Sequence, residues 1–133
     1  MKKHLVFSLI FLLCLSVSVL AYNYSNRGGG LLNNPVGIEL LGSGNVYIVD
    51  SGNSRIQKFS DSGKFIMQWG EEGTGEGCFN KPSHIAADKD KNLYVTDSNN
   101  HRIQKFRHDG TFMLQWGRSG KKDGDFRFPQ GIA

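Results

Sequence analysis

The sequence predicts an all-β chain built from repeated units of four short antiparallel strands. Three observations support this prediction. The chain repeats itself with a period of 47 residues, because shifting residues 35–81 by one period gives 20 identities in 47 positions. Each repeat contains four short apolar segments that are separated by turn residues. No apolar pattern of helical period follows Ala21.

The first 21 residues have the pattern of a secretory signal peptide. Lys2 and Lys3 precede an uncharged apolar run from Leu5 to Leu20, and Ala21 ends a small-x-small cleavage pattern. A transmembrane anchor is the alternative, but the run is shorter than the roughly 20 residues that cross a bilayer. We expect cleavage after Ala21, no stable membrane span after cleavage, and a secreted chain that is extracellular, periplasmic or held at the cell surface.

The charge of the cleaved chain argues against a nucleic-acid partner. The formal net charge of the full sequence is +4, and removal of Lys2 and Lys3 lowers it to about +2, with acidic and basic residues interleaved. Cleavage would also remove Cys14 and leave Cys78, which excludes an intramolecular disulfide. We therefore expect packing to provide the stability of the fold.

The repeat boundaries follow from three prolines that are 47 residues apart: Pro35, Pro82 and Pro129. They divide the chain after the signal peptide into a linker and pre-blade segment, two repeats and the start of a third. These parts are residues 22–34, 35–81, 82–128 and 129–133.

Each repeat is predicted to be a four-stranded antiparallel meander. In the second repeat the turn residues lie at 88–91, 98–101 and 108–110. The predicted strands between these turns are His84–Ala87, Asn92–Thr96, Arg102–Phe106 and Phe112–Trp116.

The second strand of each repeat indicates how the sheets are arranged. Val46–Val49 and Leu93–Val95 are apolar without alternation, which is typical of a strand whose sheet is covered on both faces. Stacking the repeats face to face around an axis covers both faces of every sheet. A period of 47 residues suits one blade of a β-propeller.

The repeated segments resemble a known family, the NHL repeat. The resemblance rests on P-S-H-I-A, N-L-Y-V-T-D, N-H-R-I-Q-K-F and Q-W-G, with G-x-G-x-F after the first Q-W-G, and it covers residues 28–133. It implies a six-bladed propeller, which would need about 280 residues at this period. With two complete repeats and the opening of a third, the chain is expected to be a truncated propeller. Closure of a ring by three copies, a homotrimer, is the alternative.

Two charged pairs occur at equivalent places in the repeats. Asp50 with Arg55, and Asp97 with Arg102, flank the turn between the second and third predicted strands. Opposite charges across such a turn can form an ion pair that closes the hairpin. Because both repeats carry the pair, we interpret it as structural and not catalytic.

Large aromatic residues also recur with the period. An exposed aromatic platform for glycans or peptides is the alternative use of such residues, but repetition favours packing between blades. The residues assigned to this packing are Trp69, Trp116, Phe59 and Phe106.

One histidine breaks the repeat. His84 replaces the glycines found at positions 37 and 131, on a strand expected to line the central channel. A neutral imidazole there could bind zinc. The NHL resemblance extends to the peptidyl-hydroxyglycine lyase, which implies that channel histidines from several blades could hold a metal. His84 is thus the candidate metal ligand.

A second metal candidate is weaker. Asp88, Asp90 and Asn92 match the D-x-D-x-N opening of a calcium loop. The match then fails, because Leu93 replaces the required glycine and Asn99 replaces the final glutamate. We expect a solvated turn and no cofactor, with zinc or calcium in a complete propeller as the alternative.

These observations favour a binding module over an enzyme. The sequence lacks G-x-S-x-G, H-E-x-x-H and Walker motifs, and it has no Cys/His cluster. The leading hypothesis is a secreted scaffold whose loops bind an extracellular protein, peptide or glycan. The alternative is a fragment of a metal-dependent propeller lyase related to the peptidyl-hydroxyglycine lyase, with His84 as one ligand.

Overall fold

The structure is a computed structural model that describes residues 30–42 and 44–133. The predicted signal peptide and the first part of the linker, up to residue 29, lie outside the described residues. Within those residues, none of the helices combines the length and apolar character that a membrane span requires.

Each repeat forms one four-stranded antiparallel sheet in which sequential strands are neighbours. The all-β prediction and the four-stranded blades are therefore confirmed. Blade 1 and blade 2 are joined by residues 70–81, called here the interblade loop. The strands of blade 1 are β1 (Pro35–Leu40), β2 (Val46–Asp50), β3 (Arg55–Phe59) and β4 (Phe65–Trp69), and those of blade 2 are β5 (Pro82–Ala87), β6 (Leu93–Asp97), β7 (Arg102–Phe106) and β8 (Phe112–Trp116).

The observed strand bounds differ slightly from the predicted ones. β5 begins at Pro82, two residues before the predicted start, because the first position of a strand tolerates a residue without an N–H. The register of β5 with β6 then shifts between Pro82 and His84. β6 extends to Asp97, which pairs with Arg102 across the hairpin. The charged pair therefore belongs to the sheet itself.

The main core lies between the two blades. Both faces of β2 are covered, and all five of its residues are buried, as the apolar run Val46–Val49 predicts for its first four residues. Trp69 packs against the blade interface, with ring centroids 6.2 Å from Tyr47 and 5.9 Å from Phe106. The buried members of this core are Leu41, Tyr47, Val49, Ile56, Phe79, Ile85, Leu93, Val95 and Phe106.

The hairpin between β7 and β8 closes the outer end of this interface. Tyr47 donates its hydroxyl hydrogen to the carbonyl oxygen of His108 at 2.9 Å, and the Lys58 ammonium group donates to the same oxygen at 3.2 Å. A Cβ at Gly110 would lie 3.0 Å from the Trp69 ring. Burial, followed by the charge of Asp109, raises the pKa of Tyr47 to about 12.

The connection between blades depends on a glycine beneath an aromatic ring. Gly70 has a φ of 99°, and a Cβ there would meet the Phe79 ring at 2.6 Å. Phe79 lies in the interblade core, so a larger residue at position 70 would displace a buried ring. Gly117 and Phe126 repeat this arrangement after blade 2. The pattern continues into the segment that precedes the third repeat.

Residues 129–133 do not form a strand in the structure, although the repeat predicts one there. A strand requires a neighbour for its backbone hydrogen bonds, and no described strand pairs with these residues. Instead, blade 2 holds the segment through side chains: Ser98 donates to the carbonyl oxygen of Pro129 at 2.6 Å, and Ser83 donates to that of Gln130 at 2.9 Å.

Candidate functional site

Both predicted charged pairs form in the structure. The Nε atom of Arg55 lies 2.7 Å from Asp50, and that of Arg102 lies 2.7 Å from Asp97. The side chains of both aspartates are fully buried. A buried carboxylate needs compensating donors, which the paired arginine supplies at the strand end opposite it.

The Asp97–Arg102 pair does more than close its hairpin. The two terminal nitrogens of Arg102 donate to the carbonyl oxygens of three residues in the interblade loop and to the side chain of Gln115. These four distances lie between 2.7 and 2.9 Å. The loop acceptors are Thr74, Gly75 and Cys78. All five guanidinium hydrogens are therefore used, and the pair fixes the connection between the blades.

Asp97 also accepts hydrogen bonds from residues other than Arg102. The backbone N–H of Asn80 donates to it at 2.8 Å, and the side chains of Asn100 and Gln104 donate at 2.8 and 3.1 Å. Gln104 bridges to the carbonyl oxygen of Cys78 at 2.7 Å. Both oxygens of the Asp97 carboxylate thus accept hydrogen bonds from within the fold, which supports the structural interpretation of the pair.

The predicted packing aromatics have different surroundings. Phe59 and Phe106 are fully buried, and Trp69 packs against the interblade core. Trp116, the equivalent of Trp69, is 38% exposed and makes an edge contact with Tyr94. The prediction that Trp116 fills a space between blades is not met in the described residues, because no further blade packs on that face.

The calcium-like segment is a hydrogen-bonded turn. One oxygen of Asp88 accepts from the backbone N–H groups of Asp90 and Asn92, and the other accepts from the Asn92 side chain and the Tyr94 hydroxyl. These hydrogen bonds, that of the Asn92 side chain above all, lower the pKa of Asp88 to about 2. Lys105 adds a charge 3.7 Å away. The carboxylate is engaged within the turn, so Asp88 is a poor calcium ligand.

A pocket of about 500 Å³ opens at the inner-strand end of the blades, where β1 and β5 begin. β1 and β5 approach closely here, since a Cβ at Gly37 would lie 3.1 Å from the Cα of His84. Equivalent positions of successive repeats line the pocket. The lining residues are Asn34, Val36, Ser51, Lys81, Ser83, His84, Ser98, Asn99, Gln130 and Gly131.

His84 lines this pocket, and its Nδ1 atom is buried without a hydrogen-bond partner in the structure. An unpaired buried nitrogen is unfavourable by about 1–3 kcal/mol, which makes His84 the residue of the pocket most in need of a further contact. Glu39 interacts with His84 electrostatically; burial raises the pKa of Glu39, and His84 opposes that rise.

The described residues do not fit a zinc ion. Zinc in proteins takes three or four ligands from cysteine, histidine and carboxylate side chains, and His84 is the only such residue among those lining the pocket. No group of three or more potential ligands occurs in the described ranges. His84 therefore lines the pocket without companion ligands among the described residues.

Sequence reasoning missed how the pocket is assembled. Asn34, Lys81 and Phe128 each precede one of the repeated prolines and have positive φ angles of 49°, 51° and 47°. The residue before proline ordinarily favours an extended conformation, so the left-handed backbone was not expected. The recurrence of an X-Pro step at the period of 47 was the available signal, and it places Asn34 and Lys81 at the pocket.

Comparison with known proteins identifies the repeats. The sequence profile of the NHL repeat matches residues 32–59 and 79–106, one match in each blade. No curated protein sequence matches the chain.

Several solved structures share the fold. A Bacteroides fragilis protein that is predicted to be exported has 25% sequence identity and a TM-score of 0.58 over 67% of this chain and 25% of its own. Virginiamycin B lyase from Staphylococcus aureus has 25% identity and a TM-score of 0.51 over 63% of this chain and 28% of its own. A catalytically inactive H270A form of that lyase, solved with quinupristin, has 24% identity and a TM-score of 0.52 over 65% and 29%.

The chain thus spans between 25% and 29% of the length of these structures. The two profile matches fall on the two sheets, and the sheets align with larger propeller proteins. The described part of the chain therefore contains two NHL repeats, and each forms one blade of a β-propeller.

Proposed function

We propose that this chain is a secreted binding module that takes an extracellular protein, peptide or glycan in the pocket at the inner-strand end of its blades. The observation that supports this function most directly is the pocket itself, to which three successive repeats contribute side chains. Its volume lies within the range of about 300–1,000 Å³ typical of ligand sites.

The surroundings of the pocket suit recognition. Hydroxyl, amide, ammonium and imidazole groups line it, so a ligand there can be bound by hydrogen bonds of defined direction. Ser98 is held by the hydrogen bond that it donates to the carbonyl oxygen of Pro129. The site is thus built on strand ends that the blades keep in place, which reduces the ordering cost of binding.

The secreted location is supported by the N-terminal sequence. Lys2 and Lys3 followed by the apolar run and Ala21 match a cleavable signal peptide. The structural neighbour from Bacteroides fragilis, at 25% identity, is predicted to be exported. Secretion of the expressed chain and N-terminal sequencing of the product, beginning at Tyr22, test this part of the proposal.

A pocket-filling variant tests the binding site. A Cβ at Gly131 would meet no atom within 4 Å, and its φ needs no glycine, so Gly131→Phe introduces a bulky side chain at the pocket without backbone strain. Gly42 is equally open but follows the far end of β1, which makes Gly42→Phe the matched control. We expect Gly131→Phe to abolish binding to arrayed extracellular proteins, peptides or glycans and Gly42→Phe to retain it. Equal binding by both variants would refute the site.

His84 favours a second candidate function, that of a propeller lyase. Its Nδ1 lacks a partner at the pocket, and the chain is 25% identical to virginiamycin B lyase over the aligned region. The absence of companion ligands in the described residues argues against the metal-dependent form of this candidate. Zinc analysis of the purified chain and of His84→Gly, which restores the repeat residue, would decide: stoichiometric zinc lost in the variant would favour the lyase.

A further inference from the structure

The pocket combines an uncompensated positive charge with an absence of acidic groups. Lys81 lines it and has no hydrogen bond or ion pair in the part of the chain that the structure describes. None of the ten lining residues is an aspartate or a glutamate. The chain contains 12 acidic residues, so their exclusion leaves a local positive potential at the pocket.

The nearby carboxylates do not cancel this charge. Asp50 and Asp97 lie behind the pocket at the ends of β2 and β6, but each is buried and paired with its own arginine at 2.7 Å. Glu39 interacts with His84 from the neighbouring blade and does not line the pocket. The Lys81 ammonium group is therefore available to a ligand.

The backbone holds Lys81 in place. Its φ of 51° is left-handed, and Pro82 immediately after it starts β5. A proline has a fixed φ, and Pro82 is buried in the strand that packs on blade 1. Little backbone freedom remains to be lost when the side chain binds a partner.

Resting on the proposed binding function, we infer that the ligand carries a carboxylate group, which Lys81 binds in the pocket. Asn34 and Gln130 add side-chain amide donors from the preceding and following repeats, and His84 adds an imidazole. Ammonium and amide groups that line one cavity match the acceptor-only chemistry of an ionised carboxylate. An acidic peptide and a uronic acid glycan both supply this group.

Titration calorimetry with two acidic probes distinguishes these sources. The probes are capped oligoglutamate and oligogalacturonate, and their neutral counterparts are oligoglutamine and methyl-esterified oligogalacturonate. We expect at least one acidic probe to bind, its neutral counterpart not to bind, and added sodium chloride to weaken binding. Binding of oligoglutamate alone would assign a peptide carboxylate, and binding of oligogalacturonate alone would assign a uronic acid.

The matched variants are Lys81→Asn and Lys89→Asn. Asparagine occupies the equivalent position, Asn34, at nearly the same φ, so the first variant should fold, which circular dichroism checks. Lys89 lies beyond the opposite end of β5 and provides the same change of charge away from the pocket. We expect Lys81→Asn to weaken binding of the acidic probe about tenfold, from loss of a charged hydrogen bond, and Lys89→Asn to leave it unchanged.

Three results would overturn the inference: no binding of either acidic probe, equal binding of the acidic and neutral probes, or unchanged binding by Lys81→Asn. Its failure can be told from failure of the proposed function. If a neutral ligand binds and Gly131→Phe removes that binding while Gly42→Phe does not, the binding function stands and the carboxylate inference fails. If Gly131→Phe leaves all binding intact, the function itself is wrong.

Discussion

Arg102→Lys should loosen the interblade loop while keeping the charge. Lysine can retain the ion pair with Asp97, but a single ammonium nitrogen cannot reach the four oxygens that the terminal nitrogens of Arg102 contact at 2.7–2.9 Å. Each neutral hydrogen bond contributes about 0.5–1.5 kcal/mol. Water can replace some of them, because these bonds are only partly buried. We expect a loss of about 2–4 kcal/mol of unfolding free energy.

Arg118→Lys is the matched control. Arg118 is 75% exposed and forms one ion pair, with Asp125 at 2.9 Å. An exposed pair of this kind contributes about 0–1 kcal/mol, and lysine can preserve most of it. Urea unfolding followed by tryptophan fluorescence and far-ultraviolet circular dichroism gives both free energies. Equal losses in the two variants would refute the argument that Arg102 stabilises the fold through its additional hydrogen bonds.

A local measurement separates loosening of the loop from general destabilisation. Arg102 and Gln104 both donate to the carbonyl oxygen of Cys78. Alkylation of the Cys78 thiol under native conditions, followed by mass spectrometry, should therefore be faster in Arg102→Lys and unchanged in Arg118→Lys. An unchanged rate in Arg102→Lys would mean that other contacts hold the loop.

Three further predictions concern packing and pH. Trp69→Ala should lower the unfolding free energy by about 3–5 kcal/mol, because Trp69 packs on the core between the blades. Trp116→Ala should lower it by about 1 kcal/mol or less, because the Trp116 side chain is 38% exposed. Urea titrations measure both losses, and equal losses would contradict the assigned burial. Asp88→Asn should reduce the loss of stability on acidification from about pH 4 towards pH 2. The pKa of Asp88 is lowered from 3.8 to about 2, so the stability contributed by the ionised carboxylate disappears as the pH falls through that range. Identical acid-unfolding curves of the variant and the unmodified chain would contradict this. Tyr47→Phe should reduce the loss of stability between about pH 10 and 12. The pKa of Tyr47 is raised from 10.0 to about 12, so the stability contributed by the neutral hydroxyl disappears as the pH rises through that range. Unchanged base-unfolding curves would contradict this.

The 47-residue period of the sequence was sufficient to predict the blades. Local turn residues separated the strands, and Arg102–Phe106 and Phe112–Trp116 were predicted with the bounds that the structure has. The Asp97–Arg102 pair was also predictable, because the two residues flank a four-residue hairpin turn that places them opposite each other. These features depend on contacts that are close in the sequence, where turn chemistry and alternation are informative.

Contacts between residues far apart in the sequence could not be predicted in the same way. The carbonyl oxygens that Arg102 binds lie 24 to 28 residues earlier in the interblade loop. No pattern within the repeat predicts which carbonyl groups these are. Trp69 and Trp116 have nearly identical sequence neighbours, yet one packs on the interblade core and the other is partly exposed. Their difference arises from the presence of a following blade.

By itself, the sequence determined the all-β fold, the blade repeat and the ion pairs, because each follows from periodicity or from residues joined by a short turn. The tertiary structure alone decided the pocket. Its lining comes from separate repeats, and the left-handed backbone at Asn34 and Lys81 opposes the extended preference of a residue before proline. Packing between β1 and β5, and not local preference, brings these side chains to one cavity.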